Sequence, residues 1–182
     1  LDLIKSINGV DIPTINILLD NINWDKIKKG TQCQFHGDLH FENILQKSKN
    51  EFILLDWRQN FSGDINVGDL YYDLAKIYHG IIVSHEQITN HNFEVDFKDI
   101  NNSTIRLESS HNLLHCELIF QEWTKSNNYD FEKIVTLTAL IFLNISPLHH
   151  DPYNKFLFFL GKLILTNQQN KKSIYDTINS LS

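Results

Sequence analysis

Apolar residues recur at helical spacing along most of the second half of the chain. From 67 to 81 they are Val67, Leu70, Tyr71, Leu74, Ile77, Tyr78 and Ile81, with Asn66 or Asp69 placed to cap the start. Further helices are expected over about 109–126, 131–146 and 153–168, with Asp130 as an N-cap and Pro147 ending the second of them. The 131–146 segment is apolar on nearly all sides, which predicts the buried centre of a bundle. Before residue 67 the period shortens. Thr31–Phe35 reads as a strand, and Asn43–Gln46 with Glu51–Trp57 as a hairpin around the polar turn Lys47-Ser48-Lys49-Asn50. Residues 60–66 read as a loop marked by Ser62-Gly63-Asp64. Alternating Phe93, Val95 and Phe97 within polar 91–108 suggest a second hairpin. Patches at Ile15–Leu19 and Ile22–Ile27 read as short helices or a connector. The expected fold class is therefore α+β, mainly α: a helical bundle with a small hairpin beside a polar loop.

Composition narrows the function. The chain has 182 residues, 42% of them hydrophobic, enough for one compact domain or one large lobe. Its net charge is −6 and it has no long basic run, which argues against nucleic acid as a partner. Two distant cysteines, Cys33 and Cys116, do not make a disulfide scaffold; buried free thiols in a reducing cytoplasm are expected. No signal segment opens the chain. The most apolar runs, Ala139–Ile145 and Phe156–Leu165, fall short of the roughly 20 residues that cross a bilayer. They are expected as core helices, with no transmembrane segment.

The polar loop lies in Phe35-His36-Gly37-Asp38-Leu39-His40-Phe41-Glu42-Asn43, and the next apolar strand ends on a second acid, Asp56. Phosphoryl transfer from a nucleotide needs a carboxylate to orient and deprotonate the attacking hydroxyl. It also needs hard oxygen ligands to hold Mg2+ against the phosphates. Asp38 suits the base, and the Asn43 amide oxygen and the Asp56 carboxylate suit the metal. The hairpin between them folds Asp56 back beside Asn43. The competing reading makes all three turn and strand-end residues that cap backbone N–H groups. His36 is read as holding the loop by hydrogen bonds in preference to transferring a proton. His40 approaches phosphate or substrate, or is a solvated loop residue. Arg58 meets a phosphate or an acidic substrate, or pairs with a surface acid. Asp64 reads as a turn residue, Asp69 as a helix cap. His149-His150-Asp151 suggests a metal site by composition but reads as an exposed turn.

The pattern His36-Gly37-Asp38, Asn43, then Asp56 after an apolar strand resembles the active site of the protein-kinase-like small-molecule phosphotransferases, the aminoglycoside phosphotransferase and choline kinase group. Gly68-Asp69-Leu70-Tyr71-Tyr72-Asp73-Leu74-Ala75 is similar to the run that follows the metal aspartate in that group, with Leu70 where proline is usual. The resemblance implies a kinase-like C-terminal lobe with Asp38 as catalytic base, Asn43 and Asp56 as Mg2+ ligands, and Asp73 anchoring the loop through backbone N–H groups. It implies ATP as phosphoryl donor and a small-molecule hydroxyl acceptor: a sugar, an amino alcohol or an aminoglycoside. Asp56-Trp57-Arg58 with Pro147-Leu148-His149 looks like kinase-like domains of bacterial surface-polysaccharide gene sets.

No G-x-G-x-x-G loop is present, and 35 residues before His36 are too few for a nucleotide-covering lobe. The expected organisation is a connector at 1–35 from a missing N-terminal lobe, then a C-terminal lobe at 36–182. Within that lobe, 36–75 carry the catalytic and metal motifs, and 81–182 form a helical acceptor-side subdomain. The alternative is a non-catalytic, kinase-derived binding module, or a domain of a larger multifunctional protein.

Overall fold

The computed structural model describes residues 1–108 and 111–181. It is α+β, about half helical, with small antiparallel sheets. A hairpin of β1 (Ser6–Ile7) and β2 (Val10–Asp11) opens the chain, followed by α1 (Ile15–Asp20) and α2 (Trp24–Lys28). Strand β3 (Gln32–Cys33) leads into the polar loop. The hairpin of β4 (Ile44–Ser48) and β5 (Glu51–Leu54) comes next, with Ile44 opposite Leu54. A short β6 (Gly68–Asp69) returns to pair with β3 and opens directly into α3 (Leu70–Ile82). Then come α4 (His85–Thr89), the hairpin of β7 (Phe93–Asp96) and β8 (Thr104–Leu107), α5 (His111–Ser126), α6 (Phe131–Ile145), α7 (Tyr153–Gln169) and α8 (Ile174–Asn179). Residues 109 and 110, the expected start of the fifth helix, lie outside the described residues.

Local chemistry accounts for the helix ends. Asp69 caps α3 by accepting from the Tyr71 amide, and the same oxygen accepts from the Thr31 amide, so one carboxylate starts the helix and ties β3 to it. Asp130 caps α6 through the Lys133 amide, and Ser146-Pro147 closes that helix in a 3-10 turn. Ser84 and Gln87 form a reciprocal capping box at α4.

One apolar core joins α3, α6 and α7. Phe156, Leu157, Phe159, Leu160 and Leu163 of α7 are fully buried, each worth about 1.5–3 kcal/mol of transfer free energy. The central helix is α7 and not α6 as the apolar pattern suggested: eleven of the seventeen α7 residues are buried, against eight of fifteen in α6. The reason is position. Helix α7 lies between α6, α1, α8 and the β7–β8 hairpin, whereas α6 leaves Leu137, Leu140 and Leu143 on a half-open flank. A Cβ at Gly161 would come within 2.8 Å of Leu143 Cγ and 3.0 Å of the Ala139 carbonyl, so α6 and α7 approach closely only because Gly161 has no side chain.

The segment read as a connector contributes Ile4, Ile7, Ile12, Leu18 and Ile22 to this same core. Its two-residue strands carry no readable period, which is why the pattern did not mark them. The stretch Phe131–Leu148 meets the length and composition of a membrane span, with mean hydropathy 1.4 over 18 residues, 44% of them buried. Both cysteines are free, but neither thiol is fully buried: Cys33 is half-buried and Cys116 is exposed. Helix α5 is packed on one narrow side only, with Glu117 and Thr124 its buried residues among those described, and Cys116 lies off that side.

Candidate functional site

The site is built by helix α3 acting on the polar loop. Asp73, Lys76 and Gly80 fall at i, i+3 and i+7, one stripe of the helix, and all three are buried. Asp73 Oδ2 accepts from the His36 amide at 2.6 Å and Oδ1 from the Gly37 amide at 2.8 Å. Two backbone donors are thereby satisfied by one buried carboxylate. Gly37 takes φ +80°, and a Cβ there would come within 2.6 Å of the Arg58 side chain, so glycine is required at this turn. His36 is buried; its Nδ1 accepts from the Asp38 amide at 3.2 Å, its carbonyl accepts from the Arg58 amide at 2.8 Å, and its ring lies 4.9 Å from that of Trp57. The His36 Nε2 has no partner among the described residues.

Asp38 is held by three cations or potential cations. Lys76 Nζ lies 2.8 Å from Oδ1, while Arg58 Nη2 and His40 Nε2 lie 3.6 and 3.8 Å from Oδ2. Burial works to raise the Asp38 pKa, but the hydrogen bond and charge of Lys76, with His40 and Arg58, outweigh it and hold the carboxyl below its ordinary value. The Asn43 amide nitrogen donates to the Asp38 carbonyl at 3.0 Å and contacts His40 Nε2 at 3.1 Å. With its nitrogen so engaged, the Asn43 amide oxygen is the free end, without a hydrogen bond among the described residues. On the ladder, the Leu55 amide donates to the Asn43 carbonyl at 2.9 Å, so the β4–β5 hairpin sets Asp56 one residue beyond that bond. Asp56 takes φ +54°, a left-handed conformation that aspartate tolerates better than most residues. Its side chain is exposed and makes no hydrogen bond or ion pair among the described residues.

The loop thus gathers His36, Asp38, His40, Asn43, Arg58 and Asp73, while Asp56 joins through the backbone ladder alone. Among the described residues, none of Asp38, Asn43 and Asp56 caps a backbone N–H with a side-chain oxygen. Lys76 escaped the sequence reading. Its signal was a charged residue one turn after Asp73, on the same stripe of the helix. Asp64 accepts from the Asn66 and Val67 amides and is a turn residue. His149 and His150 are exposed, and no group of three or more His, Cys, Asp or Glu side chains is arranged to hold a metal among the described residues. Two free hard oxygen donors, Asn43 and Asp56, are nevertheless a donor set that suits Mg2+, an ion that takes few protein ligands and completes its shell with phosphate and water.

Beside Asp38 opens a cleft of about 480 Å3, lined by Asp38, Glu42, Lys76, His79, Ile145 and Tyr153 among others. This size suits a small molecule. Burial, followed by the charge of Lys76, pushes the His79 pKa down to about 4. Burial and the nearby Glu42 charge push that of Tyr153 up to about 12. A hollow of about 520 Å3 between α5, α6, α7 and α8 is slightly larger, but it does not touch the polar loop. Compared with known proteins, the chain matches no family model, no curated protein and no solved structure.

Proposed function

We propose that the chain is the acceptor- and metal-side lobe of an ATP- and Mg2+-dependent phosphotransferase, acting on a hydroxyl of a small molecule in the cytoplasm. One observation carries the reading: a carboxylate facing a small-molecule cleft, Asp38, stands on the same loop as a free amide oxygen, Asn43, with a free carboxylate, Asp56, on the adjoining strand end. In this reading an acceptor hydroxyl sits against Asp38 Oδ2. Its oxygen bonds to the terminal phosphorus of ATP as its proton passes to Asp38, and the bond to the ADP oxygen breaks. Mg2+ held by Asn43 and Asp56 would neutralise charge on the phosphates. Lys76 keeps Asp38 ionised and fixes its direction. The hairpin beside the site leaves Leu45, Ile53 and Leu55 exposed on one of its faces, an apolar surface suited to a base and a covering lobe.

The test is ADP release by the protein in its full encoded chain, with Mg2+ and a panel of hydroxyl acceptors. Asp38→Ala should lower turnover by about 10³-fold while leaving nucleotide affinity within about twofold, because a base acts on the acceptor and contributes little to ground-state nucleotide binding. Near-normal turnover in the variant sinks the assignment. A second reading, a binding module without transfer, is favoured by the Lys76 ammonium already occupying Asp38 Oδ1. It predicts acceptor binding with no turnover in either protein.

A further inference from the structure

The cleft beside Asp38 has a definite polarity. Each of its carboxylates already has a cation or potential cation beside it: Lys76 on Asp38 Oδ1, Arg58 at 3.6 Å from Asp38 Oδ2, and His40 Nδ1 at 2.7 Å from Glu42 Oε2. Lys76 in the cleft and Arg58, which reaches Asp38 Oδ2 without lining the cleft, offset Asp38 and Glu42 in formal charge, so little negative surplus awaits a cationic ligand. A polyamine would have to break these contacts to find a counter-ion. A quaternary ammonium is recognised by several aromatic faces set around it. Here the cleft wall has a single phenol ring, Tyr153, and one of its neighbours is the imidazole of His149, 4.8 Å away.

What the wall does offer is alternating donors and acceptors. His79 is neutral above its lowered pKa, and its Nδ1 faces the Lys76 carbonyl at 3.2 Å. A carbonyl only accepts, so Nδ1 carries the hydrogen and Nε2 is an acceptor. The Tyr153 hydroxyl stays protonated and has no hydrogen-bond partner among the described residues. Glu42 supplies carboxylate acceptors and Lys76 supplies donors. Val83, Ile88 and Ile145 add apolar side chains to the same lining. Hydroxyl groups both give and accept, and a sugar ring presents an apolar C–H face between them.

Building on the phosphotransferase reading, we infer that the cleft takes a neutral polyhydroxylated acceptor, a sugar or sugar alcohol, in preference to cationic amino sugars and amino alcohols. Glu42, His79 and Tyr153 are then specificity residues, each placed to hydrogen-bond a hydroxyl that does not react. A site built to bond hydroxyls rejects ligands that leave its polar groups unpaired.

The experiment is NMR titration of the isotope-labelled protein with glucose, ribose, xylitol, kanamycin and choline, each to about 50 mM, a range that reaches weak ground-state binding. At least one neutral polyol should shift the Glu42, His79 and Tyr153 signals at about tenfold lower concentration than kanamycin or choline. Tyr153→Phe keeps the ring packed on His149 and Phe156, so the fold survives; it should weaken that binding about fivefold. Tighter binding of kanamycin or choline in the cleft overturns the inference, as does a Tyr153→Phe variant that binds normally or a cleft that answers to no neutral polyol. The underlying reading is checked separately by adding Mn2+ with ADP and following line broadening at the Asn43 side-chain amide. Sugar binding without that broadening keeps the sugar site and removes the phosphotransferase; broadening without sugar binding does the reverse.

Discussion

Lys76 and Lys162 make the same kind of contact and serve different ends. Each sits on the inner face of a helix and each meets an aspartate from a distant part of the chain, Asp38 at 2.8 Å and Asp2 at 2.7 Å. Around Lys162 the contact is closed. The lysine is fully buried, it also bonds the Asp2 carbonyl at 3.3 Å, and Asp2 Oδ1 accepts from the Ile15 amide as well. That pair clamps the first residues onto α7. Around Lys76 the contact is open. Asp38 Oδ2 has only longer-range partners, at 3.6 and 3.8 Å, and the cleft begins there. A pair whose lysine is wholly buried holds the fold together, whereas one whose acid lines a cleft can take part in chemistry.

The sharpest way to separate the two regions is pH. His79, whose neighbours in charge are Lys76, His40 and Glu42, has a folded pKa of about 4 against an ordinary 6.5. The neutral form is favoured on folding, so its contribution is complete above pH 6.5 and disappears as pH falls through about 4. Urea unfolding should show on the order of 3 kcal/mol lost over that window, and His79→Gln should flatten it. The clamp region should be silent there. Burial raises the Asp2 pKa, but Lys162 and the Ile15 amide lower it more, so its stabilising share is lost only as pH falls below the ordinary carboxylate value.

Removing the acids breaks the comparison directly. Asp2→Ala strands the Lys162 ammonium in the core and should cost about 2 kcal/mol, the low side for a broken buried pair because Asp2 itself is 37% exposed. Adding Lys162→Met should recover most of that loss in the same denaturation measurement. If the double variant is as unstable as the single one, the clamp is not an ion-pair effect.

The smallest effect is expected at Lys76. Lys76→Met keeps the volume and leaves Asp38 in contact with water, Arg58 and His40, so stability should fall by less than about 1 kcal/mol by thermal or urea unfolding. Acceptor binding in the cleft should weaken by more than this small stability change implies. Equal destabilisation at Lys76 and Lys162 would erase the distinction between open and closed pairs.

How much of this was legible beforehand differs by element. The hairpin of β4 and β5, the β7–β8 hairpin, and helices α3, α6 and α7 follow from period and caps, because those signals are local and each repeats over several residues. The loop that brings Asp38 near Asn43 was readable from spacing alone, since five residues of chain cannot carry them far apart. Lys76 was not, although it lies next to the Asp73 that was singled out. A lysine one turn from an aspartate reads equally as a surface pair until the element packed above that stripe is known.

By itself the sequence determined the class of fold, the order of most elements, and a loop that gathers polar side chains with oxygen donors. Tertiary structure alone decided that α7 and not α6 is central, that Ile4, Ile7, Ile12, Leu18 and Ile22 join the core, that β6 returns to β3, and that Lys76 reaches Asp38 while Lys162 reaches Asp2. The physical reason is range. Helix periods and caps are set by interactions within a few residues, but which buried cation finds which acid depends on how whole elements pack. The sequence separation of Lys162 and Asp2, 160 positions, leaves no local trace of that choice.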